Sequence, residues 1–228
     1  MKLLTCTSNF VFTMHRYFIK TPWAVKKIFP KYVWDIPSNE YAVYLTFDDG
    51  PHPEITSWVL DELKKYNAKA SFFCIGKNVL KYPDIYHRIV KEGHAVGNHT
   101  HTHLNGWKVS DEQYINDVKE AAKHISTNLF RPPYGRIRAK QFCRLNEAMQ
   151  KKSKLIMWDV LSADFDARIS PEQCLKNVMV NVKPGCIIVF HDSEKANMNL
   201  KYTLPAVMQL LNEKRCLFKK IEFTEIHL

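Results

Sequence analysis

The sequence predicts an α/β fold in which parallel strands are joined by helical crossovers. From residue 41 to the end of the 228-residue chain, short apolar segments alternate with amphipathic ones, as they do in sheets whose strands are connected by helices. The strand segments are almost continuously apolar, which is typical of parallel strands covered on both faces. The pattern fits an open doubly wound sheet or a closed barrel, and seven strand segments favour the barrel. The length fits a single domain.

Seven apolar segments are the predicted strands, at residues 43–47, 70–75, 94–97, 129–131, 155–159, 186–191 and 217–223. Apolar residues recur at helical spacing between them, as in Ile55, Val59 and Leu63, and in Leu175, Val178, Met179 and Val182. Two helices also carry start signals. Ser110 precedes Gln113 by three residues, and Ser170 is followed by Pro171, a residue suited to the first helical position.

The composition describes a chain that folds on its own. Hydrophobic residues make up 46% of it and charged residues 25%, which excludes an intrinsically disordered protein. The net charge of +10 favours anionic partners. Because the basic residues are spread along the chain and no recognition motif appears, we expect no nucleic-acid binding. No apolar segment approaches the roughly 20 residues that span a bilayer, which excludes an integral membrane protein.

Residues 1–40 precede the predicted strands and are interpreted as an N-terminal extension that packs on or flanks a domain of residues 41–228. Thr5, Ser8 and Asn9 interrupt the first apolar stretch, so no cleavable signal peptide is predicted. Residues 14–34 mix basic and aromatic side chains, a composition compatible with peripheral contact with a membrane surface, although covering the domain is favoured. A cytoplasmic or envelope-associated location follows, and the sequence predicts no oligomeric state.

The first predicted strand ends in two adjacent carboxylates, Asp48 and Asp49, followed by Gly50 and Pro51. Neighbouring carboxylates at the end of an apolar strand repel each other and need a cation, a proton or an arginine nearby. Consecutive strand residues point to opposite faces, so both carboxylates can serve one site only if the chain turns there, as Gly50 and Pro51 permit. An ordinary solvated turn is the alternative that these residues alone leave open.

Histidines cluster after the third predicted strand. His99 and His103 are four residues apart, a spacing that places both rings on one side of a helical turn where they can share a metal ion. His101 lies between them and should point elsewhere. With Asp49 the two histidines form a set of one carboxylate and two imidazoles. Such a set fits catalytic zinc and also non-haem iron, so the ligands alone leave both hydrolysis and oxidation open.

Further polar residues follow the later strands. Arg131 opens an Arg-Pro-Pro-Tyr-Gly segment, whose prolines hold the backbone extended and so place the arginine rigidly. Asp164 follows the fifth predicted strand, and His191 ends the sixth. Because active sites of parallel barrels assemble at the carboxyl ends of the strands, we expect these side chains to lie together with those of Asp48 and Asp49.

In this order the motifs resemble those of the polysaccharide deacetylase family, also called the NodB homology domain or carbohydrate esterase family 4. The resemblance rests on residues 46–51, 99–103, 131–135, the segment at Asp164 and residues 189–191. It implies a distorted (β/α)7 barrel of parallel strands and makes residues 41–228 a catalytic domain. The implied reaction removes an N-acetyl group, or in some members an O-acetyl group, from a carbohydrate. The typical substrate is an N-acetylglucosamine unit of a chitin-like or peptidoglycan-like polymer.

The resemblance also implies roles for single residues. Asp49, His99 and His103 would hold a divalent metal, most often zinc, with cobalt, nickel, manganese and iron as alternatives. Asp48 would be the general base that takes a proton from the attacking water. Arg131 would pair with Asp48, keeping this carboxylate ionised and correctly aimed.

The remaining implied residues act on the leaving group and on the substrate. His191 would protonate the departing sugar amine, and Asp164 would fix the tautomer of its ring and raise its pKa. A backbone N–H near Tyr134 would face the developing oxyanion. Pro133, Tyr134 and Phe165 are the expected substrate-binding residues.

The chain departs from the common family pattern at two positions. Phe165 stands where a tryptophan often follows the aspartate of the fourth motif, and His101 stands where an aromatic residue is frequent. Both changes affect the expected substrate groove more than the chemistry. The alternatives to an N-deacetylase are an O-acetyl esterase, a non-catalytic glycan-binding barrel, a protein that binds nucleic acid or a membrane surface through its charge, and an iron oxygenase.

Overall fold

The computed structural model of the protein describes residues 17–223. Its strands are β1 (Ala42–Asp48), β2 (Ser71–Cys74), β3 (Ala95–Asn98), β4 (Leu129–Phe130), β5 (Lys154–Leu155), β6 (Val160–Leu161), β7 (Ile187–His191) and β8 (Leu217–Phe218). Its helices are α1 (Trp23–Ile28), α2 (Ile55–Lys65), α3 (Gly76–Lys81), α4 (Pro83–Lys91), α5 (Asp111–Ala122), α6 (Ala139–Cys143), α7 (Leu145–Met149), α8 (Pro171–Asn181) and α9 (Asn197–Glu213). A 3₁₀ turn covers Pro133–Gly135.

The strands form one curled parallel sheet in the order β5-β4-β3-β2-β1-β7-β6, with β8 beside the start of β1. Every pairing along this order is parallel. The carboxyl ends of the strands therefore lie along the same edge. The prediction of a distorted α/β barrel is confirmed, as a half-barrel whose end strands β5 and β6 do not pair with each other.

The fifth predicted strand, residues 155–159, is wrong as a single strand. Only Leu155 of it lies in a strand, at the end of β5, which pairs with β4; β6, which pairs with β7, begins at Val160, after the predicted range. Between the two, Ile156 donates to the carbonyl of Phe130 on β4 and Asp159 to that of Ile187 on β7, and the backbone also bonds to the N-terminal segment. Val33 donates to the carbonyl of Leu155 at 2.9 Å, and Met157 donates to the carbonyl of Val33 at 2.7 Å. An apolar run alone does not reveal that its hydrogen-bond partner changes along its length.

The N-terminal segment also holds the seam between β5 and β6 through charge. Asp159, which directly precedes β6, is fully buried, and Nζ atoms of Lys20 and Lys26 lie 2.5 Å from its carboxylate oxygens. Lys26 pairs with Asp35 as well, and the N–H of Thr21 donates to the carbonyl of Asp159 at 2.9 Å. A buried carboxylate requires such partners, because an unpaired charge in this position is strongly destabilising. These contacts lie at the amino ends of the strands.

The centre of the sheet packs through aromatic rings. The ring of Phe47 on β1 stacks on Phe72 of β2 and on Phe190 of β7, with centroid distances of 5.0 and 5.9 Å. Helices α2 and α9 cover this layer with buried aliphatic residues, among them Val59, Leu63, Leu200, Leu204, Val207 and Leu211. Burial of this apolar area fixes the three central strands, two of which end in Asp48 and His191.

Both predicted helix starts are confirmed. The hydroxyl of Ser110 accepts a hydrogen bond from the N–H of Gln113 at the start of α5, and that of Ser170 accepts one from Gln173 at the start of α8. Each cap satisfies a backbone donor that the first turn of a helix leaves free. The serines therefore fix where these helices begin.

The segment for which membrane contact was considered falls only partly within the described residues, because residues 14–16 lie outside them. In the remainder, α1 exposes Trp23, with Nζ of Lys27 4.0 Å from its ring centroid. Among residues 17–223, the helices are too short or too polar to cross a bilayer.

Candidate active site

The carboxyl ends of β1 and β7 bring Asp48 and His191 side by side. The two strands pair in register, and Asp48 is directly opposite His191. Opposed residues of paired strands project on the same face, so the two side chains border the same space. Asp48 is 4% exposed and the His191 side chain 15%, so Asp48 is buried and His191 is partly accessible.

The chain turns sharply after Asp48. Asp49 has φ of 82°, a left-handed conformation that is unfavourable for a residue with a side chain. The peptide group that follows it is held at both ends: Nδ2 of Asn78 donates to the carbonyl of Asp49 at 2.7 Å, and the N–H of Gly50 donates to Oδ1 of Asp192 at 3.0 Å. The turn directs Asp49 towards the histidines while Asp48 contacts Arg131.

Asp192 anchors this turn from β7. Its second carboxylate oxygen accepts a hydrogen bond from the Thr56 hydroxyl at 2.5 Å, and that hydroxyl accepts the N–H of His52 at 2.7 Å. A Cβ on Gly50 would lie 2.1 Å from Oδ2 of Asp192, so only glycine permits the approach. The carboxyl group is fully buried, and burial raises the pKa of Asp192 to about 7.

His99 and His103 converge on Asp49, although not from a helix. The predicted helical turn is wrong: the segment is irregular, with Thr100 at φ 63° and His103 at φ 60°. The two rings nevertheless lie 5.1 Å apart. Nε2 of His103 is 3.2 Å and Nε2 of His99 is 3.7 Å from Oδ1 of Asp49. His101 lies apart from this group, with its ring 6.3 Å from that of His124.

The donor atoms of this cluster fit a divalent metal ion. One ligand atom of each of Asp49, His99 and His103 lies within 4.8 Å of the others; tetrahedral zinc, with bonds of about 2.0–2.2 Å, separates its ligands by about 3.4 Å. Oδ1 of Asp49 is buried and accepts no hydrogen bond from the described residues. A buried carboxylate oxygen without a hydrogen bond is costly unless a cation binds it.

The protonation states of His99 and Asp49 suit the binding of a divalent metal ion. Nδ1 of His99 lies 2.8 Å from the carbonyl oxygen of Arg131; because that oxygen can only accept, Nδ1 carries the hydrogen and Nε2 presents its lone pair. Burial lowers the pKa of His99 to about 4, so its ring is neutral at neutral pH. Burial opposes ionisation of Asp49, but the rings of His103, His191 and His99 hold its pKa below the usual range.

Arg131 is a fully buried cation that meets Asp48. Its NH1 atom donates to Oδ1 of Asp48 at 2.7 Å and to the Thr46 hydroxyl at 2.8 Å. The other guanidinium nitrogens donate to the carbonyls of Ile156 and Met157. The guanidinium carbon lies 4.0 Å from the centroid of the Phe73 ring. Every part of this cation is therefore either hydrogen-bonded or stacked, which fixes the orientation of the Asp48 carboxylate.

His191 is held by Asp164, as the order of the motifs suggested. Nδ1 of His191 lies 2.8 Å from Oδ1 of Asp164, and the backbone N–H of His191 donates to Oδ2 at 2.8 Å. Burial opposes protonation of the ring, but the fully buried Asp164 carboxylate and the charges of Asp49 and Asp48 raise the pKa of His191 to about 9. At neutral pH the ring is a proton donor whose Nε2 points away from Asp164.

Aromatic rings flank the cluster on two sides. Tyr134, 62% exposed, lies edge-on to His103 at 4.7 Å between centroids, and the buried Pro133 begins the 3₁₀ turn that carries it. Phe165 lies edge-on to His191 at 5.0 Å. All the residues predicted for the site thus lie at one end of the barrel, in contact with one another through these pairs.

Asn78 and Asp192 are the positioning residues that sequence reasoning missed. They hold the peptide group after Asp49 from partners 29 and 142 residues away in the sequence. For Asp192 a signal existed, since it directly follows His191 at a strand end and is a second carboxylate beside predicted site residues. For Asn78 the sequence offered none, because an asparagine early in a helix usually serves as a surface or capping residue.

A curled parallel sheet that carries the Asp48–Arg131 pair, the Asp164–His191 pair and a possible metal-binding cluster at its carboxyl end is typical of hydrolases of the α/β-barrel class. Within that class, the chain belongs to the polysaccharide deacetylase family. The sequence model of this family matches residues 35–153. The matched part includes Asp48, Asp49, His99, His103 and Arg131.

Individual proteins support this assignment. A peptidoglycan-N-acetylglucosamine deacetylase of Bacillus cereus is 37% identical over 168 residues, which are 71% of this chain and 60% of that protein. A chitooligosaccharide deacetylase of Azorhizobium caulinodans is 35% identical over 165 residues, 69% of this chain and 76% of that protein. The chain thus spans less than two thirds of the first relative's length.

Solved structures share the fold. A peptidoglycan N-acetylglucosamine deacetylase in complex with 4-naphthalen-1-yl-N-oxidanyl-benzamide has a TM-score of 0.78 at 32% identity, covering 88% of this chain and 95% of that one. A pseudoenzyme of the same carbohydrate esterase family from Bacillus anthracis has a TM-score of 0.69 at 26% identity, covering 79% of this chain and 64% of that one. The same fold therefore occurs in a deacetylase and in a pseudoenzyme.

Proposed function

We propose that this protein is a metal-dependent deacetylase that removes N-acetyl groups from an amino-sugar glycan. The observation that carries the proposal is the direct opposition of Asp48 and His191 on paired strands, beside the cluster of Asp49, His99 and His103. Cleavage of an amide needs a proton acceptor for the attacking water and a proton donor for the amine, and we assign these tasks to Asp48 and His191.

Asp48 is the proposed base. A divalent ion held by Asp49, His99 and His103 would polarise the acetyl carbonyl and lower the pKa of water towards ~7. Asp48 then accepts the proton of the attacking water, with its carboxylate held in place by NH1 of Arg131 at 2.7 Å. Because Arg131 is bonded on all sides, Asp48 is aimed before substrate arrives and needs little reorganisation during the reaction.

His191 is the proposed acid. Its Nδ1 hydrogen is committed to Asp164 at 2.8 Å, so Nε2 is the nitrogen that delivers a proton to the departing amine. A pKa of about 9 keeps this proton in place at neutral pH. Asp164 therefore both orients the ring and maintains its charge.

The walls of the site are proposed to position the sugar. The N–H of Tyr134 is our candidate donor to the oxyanion that develops as the carbonyl is attacked. The Tyr134 ring stands beside His103 and the Phe165 ring beside His191. Together with Pro133 they would bind the sugar ring on either side of the acetyl group.

The substrate class and the metal rest on further support. Two similar proteins are named for peptidoglycan N-acetylglucosamine and for chitooligosaccharide, and we propose a glycan of this kind for the catalytic domain, residues 41–228. Two imidazoles and one carboxylate favour zinc. Cobalt, nickel, manganese and iron share affinity for such ligands and are the alternatives.

Acetate release tests the proposal. The purified, zinc-loaded protein is incubated with acetylated chitooligosaccharides, peptidoglycan fragments and O-acetyl xylan, and acetate is quantified over time. We expect release from the first two that stops on chelation and returns when metal is restored. Release from O-acetyl xylan alone would identify an O-acetyl esterase instead.

A non-catalytic glycan-binding barrel is the second candidate, and the family fold of the Bacillus anthracis pseudoenzyme favours its inclusion. Against it, Asp48, Arg131, Asp164 and His191 are all present and hydrogen-bonded to one another in pairs. Glycan binding without any acetate release, in protein shown to contain metal, would favour this candidate.

A further inference from the structure

Trp107 exposes an unusual amount of apolar surface in the loop that follows His103. It lies in the loop between His103 and α5 and is 56% exposed, whereas tryptophan is on average highly buried. An exposed indole leaves a large apolar face in water, and such faces near a site commonly bind ligand. The exposed face of the Trp107 ring is therefore a candidate ligand-binding surface.

The indole is held rigidly in its exposed position. Its Nε1–H donates to the carbonyl of Ile137 at 3.3 Å, and its backbone N–H donates to Oδ1 of Asn105 at 3.0 Å. The guanidinium carbon of Arg136 lies 4.5 Å from the ring centroid. A rigid aromatic ring loses little conformational freedom when it binds a ligand, which makes it suitable as a binding surface.

The loop that carries Trp107 is fixed to the turn that carries Tyr134. The fully buried Gln141 donates to the carbonyl of Gly106 at 2.8 Å and accepts the N–H of Arg138 at 2.9 Å. A Cβ on Gly106 would lie 2.6 Å from the carbonyl oxygen of Arg136, so the two segments touch through backbone. A buried side chain is thus used to hold Trp107 against residues 136–138.

Trp107 and Arg136 both lie in segments that adjoin the cluster of Asp49, His99 and His103. Arg136 is two residues beyond Tyr134, and the ring of Tyr134 lies 4.7 Å from that of His103. Trp107 is itself four residues beyond His103. Tyr134 and Arg136 therefore belong to one segment and Trp107 to an adjoining one. The first segment contacts His103 through the Tyr134 ring, and the second follows His103 in the sequence.

We propose that Trp107 and Arg136 form an additional sugar-binding position, which takes a neighbouring pyranose ring of an extended glycan when the acetylated unit lies at the cluster. The proposal rests on the proposed function for the identity of the glycan. The apolar face of a pyranose stacks on the indole, and the guanidinium, a donor only, bonds to sugar hydroxyl oxygens. The site consequently binds a chain of sugars more tightly than a single one.

Binding of N-acetylglucosamine and of its β-linked tetramer, measured by calorimetry, tests this position. The zinc-loaded Asp48→Asn variant is the parent, because turnover is expected to stop in it. Adding Trp107→Ala should weaken tetramer binding about tenfold, equivalent to about 1.4 kcal/mol. Binding of the single sugar should not change. Trp107→Phe, which keeps a ring, should recover part of the affinity.

Trp23→Ala is the matched control. Trp23 is also exposed, at 69%, and also carries a stacked cation, Lys27, but it lies on α1 near the amino ends of the strands. The control should bind the tetramer as the parent does. Equal tetramer affinity with and without Trp107, or the same loss in both tryptophan variants, would overturn the sugar-binding position, as would a parent that does not bind the tetramer.

The two proposals fail in different ways. If the wild type releases no acetate from any glycan but tetramer binding depends on Trp107, the deacetylase function fails and the sugar-binding position stands. If acetate is released and Trp107→Ala binds the tetramer normally, the function stands and the additional position fails.

Discussion

Arg131 and Asp48 form an ion pair that is shielded from solvent, with 2.7 Å between NH1 and Oδ1 and a guanidinium that is fully buried. The pair joins the end of β1 to the segment after β4, so one contact both aims the proposed base and ties two strands together. Burial lowers the pKa of Arg131, while the charge of Asp48 opposes this shift. Such a pair is most sensitive to the loss of one partner.

Replacement of Arg131 by alanine is expected to destabilise the protein. It leaves the Asp48 carboxylate buried without a partner and frees the carbonyls of Ile156 and Met157, which costs about 3 kcal/mol or more. Urea denaturation followed by circular dichroism measures the loss. Arg144→Ala, which removes an exposed pair with Glu112, is the control and should change stability by less than about 1 kcal/mol. Similar stabilities for the two variants would contradict the structural role of Arg131.

Asp48→Asn is expected to abolish turnover while leaving metal bound. The amide has nearly the shape of the carboxylate but cannot accept a proton at neutral pH, so the rate should fall by about 100-fold or more. Acetate release gives the rate, and metal analysis of the purified variant gives the occupancy. A variant with full activity would exclude Asp48 as the base, and one that loses its metal would make it a ligand.

Asp164→Asn is expected to move the alkaline limit of activity to lower pH. Burial opposes protonation of His191, and the Asp164 carboxylate overcomes it, raising the pKa of His191 to about 9. The protonated acid is thus present below that pH and lost above it. Without the negative charge the ring releases its proton earlier. The pH profile of kcat/KM reports this step; an unchanged alkaline limb would show that His191 does not set it.

Asn78→Ala and Asp192→Asn are expected to weaken metal binding by roughly 10- to 100-fold, as loss of groups that orient ligands usually does. Both remove a contact that holds the peptide group after Asp49 in its left-handed turn. Competition with a chromogenic chelator measures the affinity without reference to catalysis. Asn181→Ala removes an amide that likewise donates to a backbone carbonyl, that of Asn177, and should bind metal normally.

His94 is expected to make the protein less stable in acid. Burial, aided by the charge of Lys69, lowers the pKa of His94 from its ordinary value of 6.5 to about 4. Between these pH values the His94 ring is protonated in the unfolded chain but neutral in the folded one. The free energy of unfolding therefore falls as pH drops from about 6.5 to about 4. Denaturation of His94→Asn across this range should show a smaller fall. His87→Asn, at an exposed position, should behave as the wild type does; identical slopes for all three would exclude the effect.

The parallel fold and the grouping of polar residues at strand ends were predictable because they follow from local patterns. The apolar runs of β1 and β7 locate Asp48 and His191 at a common edge without any knowledge of their partners. The irregular path from His99 to His103 was not predictable, since spacing by four suggests a helical turn. The left-handed conformations that replace it depend on surrounding contacts.

Contacts between distant segments account for what the sequence could not provide. Gly50 meets Asp192 across 142 residues of chain, and nothing in the local pattern of either residue specifies the other. The interruption of the predicted strand at residues 156–159 has the same origin. Its cause lies in the segment around Val33, whose own sequence shows no strand periodicity.

The seam between β5 and β6 also constrains the order in which the fold can be completed. Residues 17–36 bond to residues 155–161 and to Gly185, so these contacts cannot form until most of the domain has been synthesised. Contacts of such long sequence separation slow folding. Until they form, the edges of β5 and β6 are open to pairing with other chains, and the carboxylate of Asp159 lacks its partners Lys20 and Lys26. The closure of the seam therefore depends on segments that are far apart in the sequence.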